Sequence, residues 1–309
     1  MSPLELAALA KRLAAELGFQ ACGVTDLAPV PHAEALRRWL DDGSHGEMDY
    51  MARQASTRCD PQRAWRDANS VVVVLHNYYL TSDTTGSGYR VARYAQGEDY
   101  HEVMRGLLDR LGSALVQRAG AGSYRIFVDA GPLPERELAQ RAGLGWIAKN
   151  TMLIAPRLGS YTFIGCLLTD LELAPDTPFD ADRCGSCTRC LEACPTDAFP
   201  EPRVLDATRC VSYLTIEARG EVPESLQPLV GDHLFGCDVC QEVCPWNIRF
   251  ATETGDPRYR PASPWPPLEE ILAMDEDAFA SRFGATAIER ARRTGLQRNA
   301  RLVRENGER

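Results

Sequence analysis

The stretch CGSCTRCLEACPTDAF, Cys184 to Phe199, holds four cysteines in sixteen residues, two, two and three residues apart, with a proline after the last. C-x2-C-x2-C-x3-C-P is the bacterial two-cluster ferredoxin run: three closely spaced thiolates wrap one iron–sulfur cubane and the fourth reaches across to a second. A zinc ribbon would offer separated C-x2-C pairs, not three interlocked ones. A shorter copy, CDVCQEVCP, follows with Cys237, Cys240 and Cys244. It leaves the usual set one sulfur short, and Cys210 in ATRCVSY, between the two motifs, can fill the gap. One cluster then takes Cys184, Cys187, Cys190 and the crossing Cys244; the other takes Cys194, Cys210, Cys237 and Cys240. Cys22, Cys59 and Cys166 are left over and read as small buried side chains.

A chain of 309 residues suffices for one large domain or two modest ones, and 44% hydrophobic with 25% charged residues is ordinary for a globular protein. The net charge of −9 argues against broad affinity for nucleic acid, though not against a local basic patch. The N-terminus MSPLELAALAKRL, with Glu5, Lys11 and Arg12, lacks the apolar core of a signal peptide, and no run approaches a membrane span. The expectation is a soluble, cytosolic protein, in which clustered cysteines bind metal rather than form disulfides.

Ser2, Pro3 and Glu5 spell a helix start with a capping box, Leu6, Leu9, Leu13 and Leu17 an apolar stripe, and Gly18 its end. FQACGVTDL reads as a strand. The β-branched run from Ser70 to Tyr79 reads as a strand buried on both faces. A polar loop, TSDTTGSG, precedes a segment whose second half is a long amphipathic helix. YRIFVDAGPLPERELAQRAG reads as strand, turn and helix, and SYTFIGCLLTDL as a further strand. The expected architecture is α/β (α+β): a central sheet flanked by helices over 1–178, a ferredoxin-like two-cluster domain over 179–250, and a short helical tail over 251–309.

Two cubanes conduct single electrons but do not by themselves catalyse, so the rest of the chain must hold the chemistry. Asp129 ends a predicted strand, where ligand crevices of open sheets lie. It is either a general acid, if burial raises its pKa, or a turn aspartate bonding its own backbone. GLGWIA, Gly143 to Ala148, fits G-x-G-x-x-A, but it follows a helix instead of a strand and so reads as a false dinucleotide fingerprint. Its glycines still allow a large ligand close to the backbone beside Lys149 and Asn150. HGEMDYM and ARYAQGEDYH bring together His45, Tyr50, Arg53, Arg93, Tyr94 and His101, which carry no role unaided. ERARRTGLQRNARLVR carries Arg290, Arg292, Arg293, Arg298, Arg301 and Arg304, either a phosphate-facing patch or a solvated helix face.

Taken in order, HGEMDYMAR, ARYAQGEDYH, VDAGPLPERELAQRAGLGWIAKN, the ferredoxin run, RCVSYLTIEARGEVP, FGCDVCQEVCPWN and RRTGLQRNAR resemble the epoxyqueuosine reductases along nearly the whole chain. The resemblance implies an oxidoreductase of tRNA queuosine synthesis, with cobalamin and two [4Fe–4S] clusters, related to reductive dehalogenases in cofactors and core fold. It implies reduction of an epoxide at the wobble position of an anticodon stem-loop, electrons from a flavodoxin or ferredoxin, and Asp129 as proton donor. By position it implies corrin contacts at Arg53, Arg93, Asp129, Met152, Phe163 and Ser212, and substrate contacts at Glu217, Arg293 and Arg298. No D-x-H-x-x-G loop is present, so the corrinoid is expected without a histidine on cobalt. Where the family is expected to read aspartate-serine-alanine-proline, this chain has Asp129-Ala130-Gly131-Pro132. Ending at Arg309, it is expected to act as a monomer with a smaller tRNA grip than longer relatives. Two other readings stand beside this one: a ferredoxin-like electron carrier with a large extra domain, and a corrinoid dehalogenase of a small molecule.

Overall fold

The computed structural model describes residues 1–81 and 86–308; residues 82–85 of the polar loop TSDTTGSG lie outside the described residues. The first helix, Pro3–Glu16, begins as its residues dictate: Ser2 Oγ accepts from the Glu5 amide and the Glu5 carboxylate accepts from the Ser2 amide. Its leucine stripe packs on a four-stranded sheet of order β1-β2-β7-β4, built from β1 (Ala21–Thr25), β2 (Ser70–Asn77), β4 (Tyr124–Phe127) and β7 (Thr162–Thr169).

All eight residues of β2 are buried, as its β-branched run requires, because helices cover both faces. Val72 and Val74 meet the helices Pro3–Glu16 and Tyr100–Ala119. Val71, Val73 and Leu75 meet the helix Glu135–Arg141 on the other side. Every pairing in this sheet is nevertheless antiparallel. A fully buried run therefore does not fix strand direction; coverage of both faces does the same work in either sense. Cys166 lies wholly buried in the second of these cores and Cys22 packs against the first, where burial pushes its thiol up to about 12.

The cysteine region is woven into this body. β3 (Arg90–Val91) pairs in parallel with β8 (His233–Phe235), and β5 (Trp146–Ile147) forms a hairpin with β6 (Leu153–Ile154). Gly145 is needed at that hairpin, because a Cβ there would stand 2.2 Å from the Ile154 carbonyl oxygen. GLGWIA thus opens a hairpin after a helix, and the nucleotide-loop context is absent. The tail also belongs to the core. Ile271, Phe279, Phe283, Leu296 and Ala300 pack on Tyr89, Val91, Leu234 and Phe235, while Leu302 joins a neighbouring cluster around Val211 and Leu214.

Candidate active site

The eight motif cysteines fall into two electrostatic groups. Burial raises Cys190, and the charges of Cys184, Cys244 and Cys187 raise it further; burial with Cys184 and Cys187 does the same to Cys244. Burial raises Cys210 and Cys194 adds to it. Cys237 is pushed up to about 12 by burial, with Cys210 contributing, and Cys240 is raised well above its usual value by burial, Cys237 and Cys210. The thiols that repel one another when ionised are therefore those of each expected cubane, with Cys244 crossing to the first set and Cys194 to the second. Bound iron would reverse this repulsion, since metal ligation holds a thiol deprotonated. N–H groups already point at the sulfurs: the Ala198 backbone amide donates to Cys194 Sγ at 3.3 Å, and the Trp146 indole N–H to Cys184 Sγ at 3.4 Å.

The β5–β6 hairpin ties these loops to the large domain. Lys149 Nζ donates to the carbonyls of Gly185 (2.7 Å) and Cys187 (2.9 Å), and Asn150 Nδ2 to that of Cys240 (3.3 Å). One residue on, Thr151 has φ 66°, and its carbonyl accepts from Arg136 Nη1 at 2.6 Å. Arg136 lies on the helix that follows Asp129.

Asp129 stands just past β4 with φ 51°, a left-handed conformation that aspartate tolerates better than most residues. Its amide donates to Glu135 Oε1 at 2.7 Å, and Arg58 holds the following turn by donating to the carbonyls of Gly131 and Leu133, each at 3.1 Å. Tyr100 Oη donates to Asp129 Oδ2 at 2.5 Å, and His101 Nε2 lies 3.7 Å from the same oxygen. His101 Nδ1 meets Asp99 Oδ1 at 2.7 Å. The Tyr100 ring stacks on Phe163 at 4.3 Å and on His101 at 4.1 Å. Tyr100 and His101 crowd the Asp129 carboxylate on one side, yet its side chain is 65% exposed, so it looks out from a wall of protein toward solvent.

That wall sets the protonation states. Desolvation pulls the Asp129 carboxyl upward, but the nearby His101 imidazole and the hydrogen bond from Tyr100 outweigh it and hold it below the usual range. Burial alone would lower His101, but the neighbouring Asp129 carboxylate and its bond to Asp99 push it up to about 9. Desolvation and the neighbouring Asp129 charge push Glu135 up to about 8. These shifts favour a carboxylate at Asp129, an imidazolium at His101 and a protonated carboxyl at Glu135. The condition under which Asp129 would itself be a standing acid, a raised pKa, is not met.

Several residues expected at the site are engaged elsewhere. Arg93 is buried, donates to Asp238 Oδ2 (3.1 Å), Glu242 Oε1 (2.7 Å) and the Leu80 carbonyl (2.8 Å), and lies over the rings of Tyr79 and Tyr161. It braces the segment that carries Cys237 and Cys240. Arg298, expected at the substrate surface, is 4% exposed, and all five of its N–H donors are used, on the carbonyls of Leu214, Ala218 and Gly220 and on Asn299. This corrects its reading as a direct substrate contact: it pins the last helix to the cysteine region. Glu217 accepts from Arg290 through both oxygens, at 3.0 and 2.7 Å, and Arg293 pairs with Glu276 at 2.8 Å. Arg53 is exposed at the end of a short helix, Met152 and Ser212 are half-buried, and Phe163 is buried in the wall beneath Asp129.

Sequence reasoning assigned nothing to Tyr100, His101 or Glu135. The available signal was local: Asp99-Tyr100-His101 opens the helix Tyr100–Ala119 with Asp99 as its cap, and Glu135 lies in the first turn of the helix after Asp129.

Residues 183–247 match the family described as "4Fe-4S double cluster binding domain", and residues 58–130 that described as "Epoxyqueuosine reductase QueG, DUF1730". The epoxyqueuosine reductase of Pseudomonas aeruginosa is 42% identical over 298 residues, covering 94% of this chain and 82% of that protein. A crystal structure of an epoxyqueuosine reductase with a tRNA-Tyr epoxyqueuosine-modified stem loop superposes with TM-score 0.88 at 31% identity, over 98% of this chain and 81% of the other. A Bacillus subtilis epoxyqueuosine reductase, with its catalytic aspartate loop swung out of the active site, gives TM-score 0.86 at 31% identity, over 98% and 82%. With its two cysteine groups, its double-cluster region and this likeness along nearly its full length, the chain belongs to the epoxyqueuosine reductase family of oxidoreductases.

Proposed function

We propose that this chain reduces the epoxide of epoxyqueuosine at the wobble position of tRNA to the alkene of queuosine, with cobalamin and two [4Fe–4S] clusters. The observation that carries the proposal is the open Asp129 carboxylate, backed by Tyr100, His101 and Phe163, on a body tied through Lys149 and Asn150 to both cysteine loops. The stem loop held by the relative of TM-score 0.88 and the catalytic aspartate loop of the Bacillus subtilis relative support it. An electron carrier would have no need of such an acid.

When bound, reduced cobalamin supplies a strong nucleophile and reductant, and the cubanes supply it with single electrons. The residues around Asp129 would hold a corrin there, with the imidazole beside it turned toward two carboxylates. Beside Asp129 the one imidazole is His101, with its two nitrogens directed at Asp99 and Asp129. His32, His76 and His233 are bonded to Glu137, Asp256 and the Val230 carbonyl, and His45 lies against Trp39. Arg53, Met152, Phe163 and Ser212 remain the proposed corrin contacts; Arg93 would act through the ion pairs that hold Asp238.

Conversion of an epoxide to an alkene and water consumes two electrons and two protons. Asp129, poised at the open face, delivers a proton to the oxygen that leaves the ring. Because Asp129 rests ionised, that proton comes to its Oδ2 from His101 Nε2 or through Tyr100 Oη, and the second proton, which completes the departing water, comes from solvent at this open face. Glu217, holding Arg290 beside Tyr50, and Arg293 are the proposed substrate contacts at the rim. The test is turnover of an epoxyqueuosine-bearing anticodon stem-loop by anaerobically reconstituted protein. Protein carrying about eight irons and a bound corrin that leaves the epoxide intact would refute the proposal.

A further inference from the structure

We infer that the face around the helix Pro245–Phe250 is the docking surface of an acidic one-electron redox protein, and that electrons enter through the cluster of Cys184, Cys187, Cys190 and Cys244. The inference rests on the two-cluster reading above. Ile248 is 66% exposed, one of four large apolar side chains left open among the described residues. It lies one helical turn from the Cys244 ligand, whose carbonyl accepts its amide at 3.0 Å. An apolar side chain presented to water beside a redox centre is a contact surface in search of a partner.

The surroundings specify that partner's charge. Arg249, exposed next to Ile248, lies over the Phe250 ring at 5.1 Å, and Phe250 stacks on Trp246 at 5.5 Å. The Trp246 indole donates to the Arg183 carbonyl at 3.3 Å, and exposed Arg183 lies over Phe179 at 5.9 Å. Arg189 stands exposed between Cys187 and Cys190. The salt bridges found among the described residues include none to Arg183, Arg189 or Arg249, whereas the nearby acid Asp182 is paired with Arg203 at 2.7 Å. Arg183 and Arg249 beside this apolar knob and Arg189 in the ligand loop, set against the exposed acids Asp180 and Glu192 close to them in sequence, make this the face where a chain of net charge −9 offers cations to an anionic partner.

The same face leads inward. Trp246 packs on Trp146 at 4.9 Å, and Trp146 donates to Cys184 Sγ, so an aromatic pair joins the knob to a cluster ligand. Gly185, Ser186 and Thr188 between the ligands are exposed. Around the other set, Val211, Leu214, Phe235, Asp238 and Gln241 are buried, which closes that cluster to a docking protein. Each encounter oxidises the donor by one electron and reduces the outer cluster by one; two encounters supply the pair that the epoxide needs.

The test compares holoenzyme with its R183E/R249E and Ile248→Ser variants, mixing each in a stopped-flow cell with reduced flavodoxin, an acidic donor, or with dithionite. Bleaching of cluster absorbance is read directly, so the outcome does not depend on turnover of the tRNA substrate. Equal iron content and equal dithionite rates are expected, with flavodoxin rates at least 10-fold lower in the charge-reversed variant and falling with salt in the native protein. Unchanged flavodoxin rates in both variants would overturn the inference, as would an equal loss with dithionite. Normal docking kinetics without epoxide reduction would count against the proposed reaction alone.

Discussion

Replacing His101 with glutamine tests the charge arrangement at Asp129. In the folded protein this imidazole is pushed from an ordinary 6.5 up to about 9, against the effect of burial, by Asp129 and Asp99. A shift of that size corresponds to about 3 kcal/mol of preference for the charged ring, and the 23% exposure of the side chain brings the usable figure to roughly 2 kcal/mol. A raised histidine pKa stabilises fully below 6.5, and that contribution disappears as pH climbs through 9. Native protein should therefore lose about 2 kcal/mol between pH 6.5 and 9.5 through this group, equal to roughly 3 °C in Tm for a chain of this length. Glu135, also raised, adds loss of the same sign at lower pH, up to about 8. The difference between native and His101→Gln melting curves isolates the histidine: the two should converge as pH rises, because the variant has nothing to lose. Turnover of the modified stem-loop should fall by about 100-fold, in the range of general acid catalysis. Parallel melting curves over this window would show that His101 is not the counter-charge of Asp129, and the proton route would have to be redrawn.

Asp129→Asn should keep cluster and corrin spectra intact while turnover falls about 100-fold or more; full activity would remove Asp129 as proton donor. Cys210→Ala should lower iron from about eight to about four per chain, with the cluster of Cys184, Cys187, Cys190 and Cys244 surviving as seen by electron paramagnetic resonance; an unchanged iron content would break the partition. Arg298→Met should cost about 2 kcal/mol in stability, because the buried Leu214 carbonyl and the buried Asn299 Oδ1 lose their donor. Its salt dependence of stem-loop binding should not change; a shallower salt slope in that variant would restore Arg298 as a phosphate contact.

How much was legible in advance depends on how local the cause was. The capping box at Ser2 and Glu5, the leucine stripe, and a strand at Ser70–Asn77 buried on both faces follow from neighbours a few residues apart. The cysteine spacing is likewise a local property, and the expected crossing of Cys244 comes from the motif itself. Strand direction was not legible, since a valine run covered on both faces looks the same in either sense. Arg298 misled for a related reason. Its arginine-rich surroundings look like a solvated face, and only the fold brings the carbonyls of Leu214, Ala218 and Gly220 within reach of the side chain.

By itself, the order of residues determined what this protein can bind: eight thiols in two interlocking sets, and an acid at the end of a strand. Only the tertiary structure decided the charge that acid carries. The pKa of Asp129 depends on Tyr100 and His101, which come from a helix that starts 29 residues earlier and meet it through packing on Phe163. Ionisation responds to distances of a few ångströms and to water access, and neither is written in local sequence.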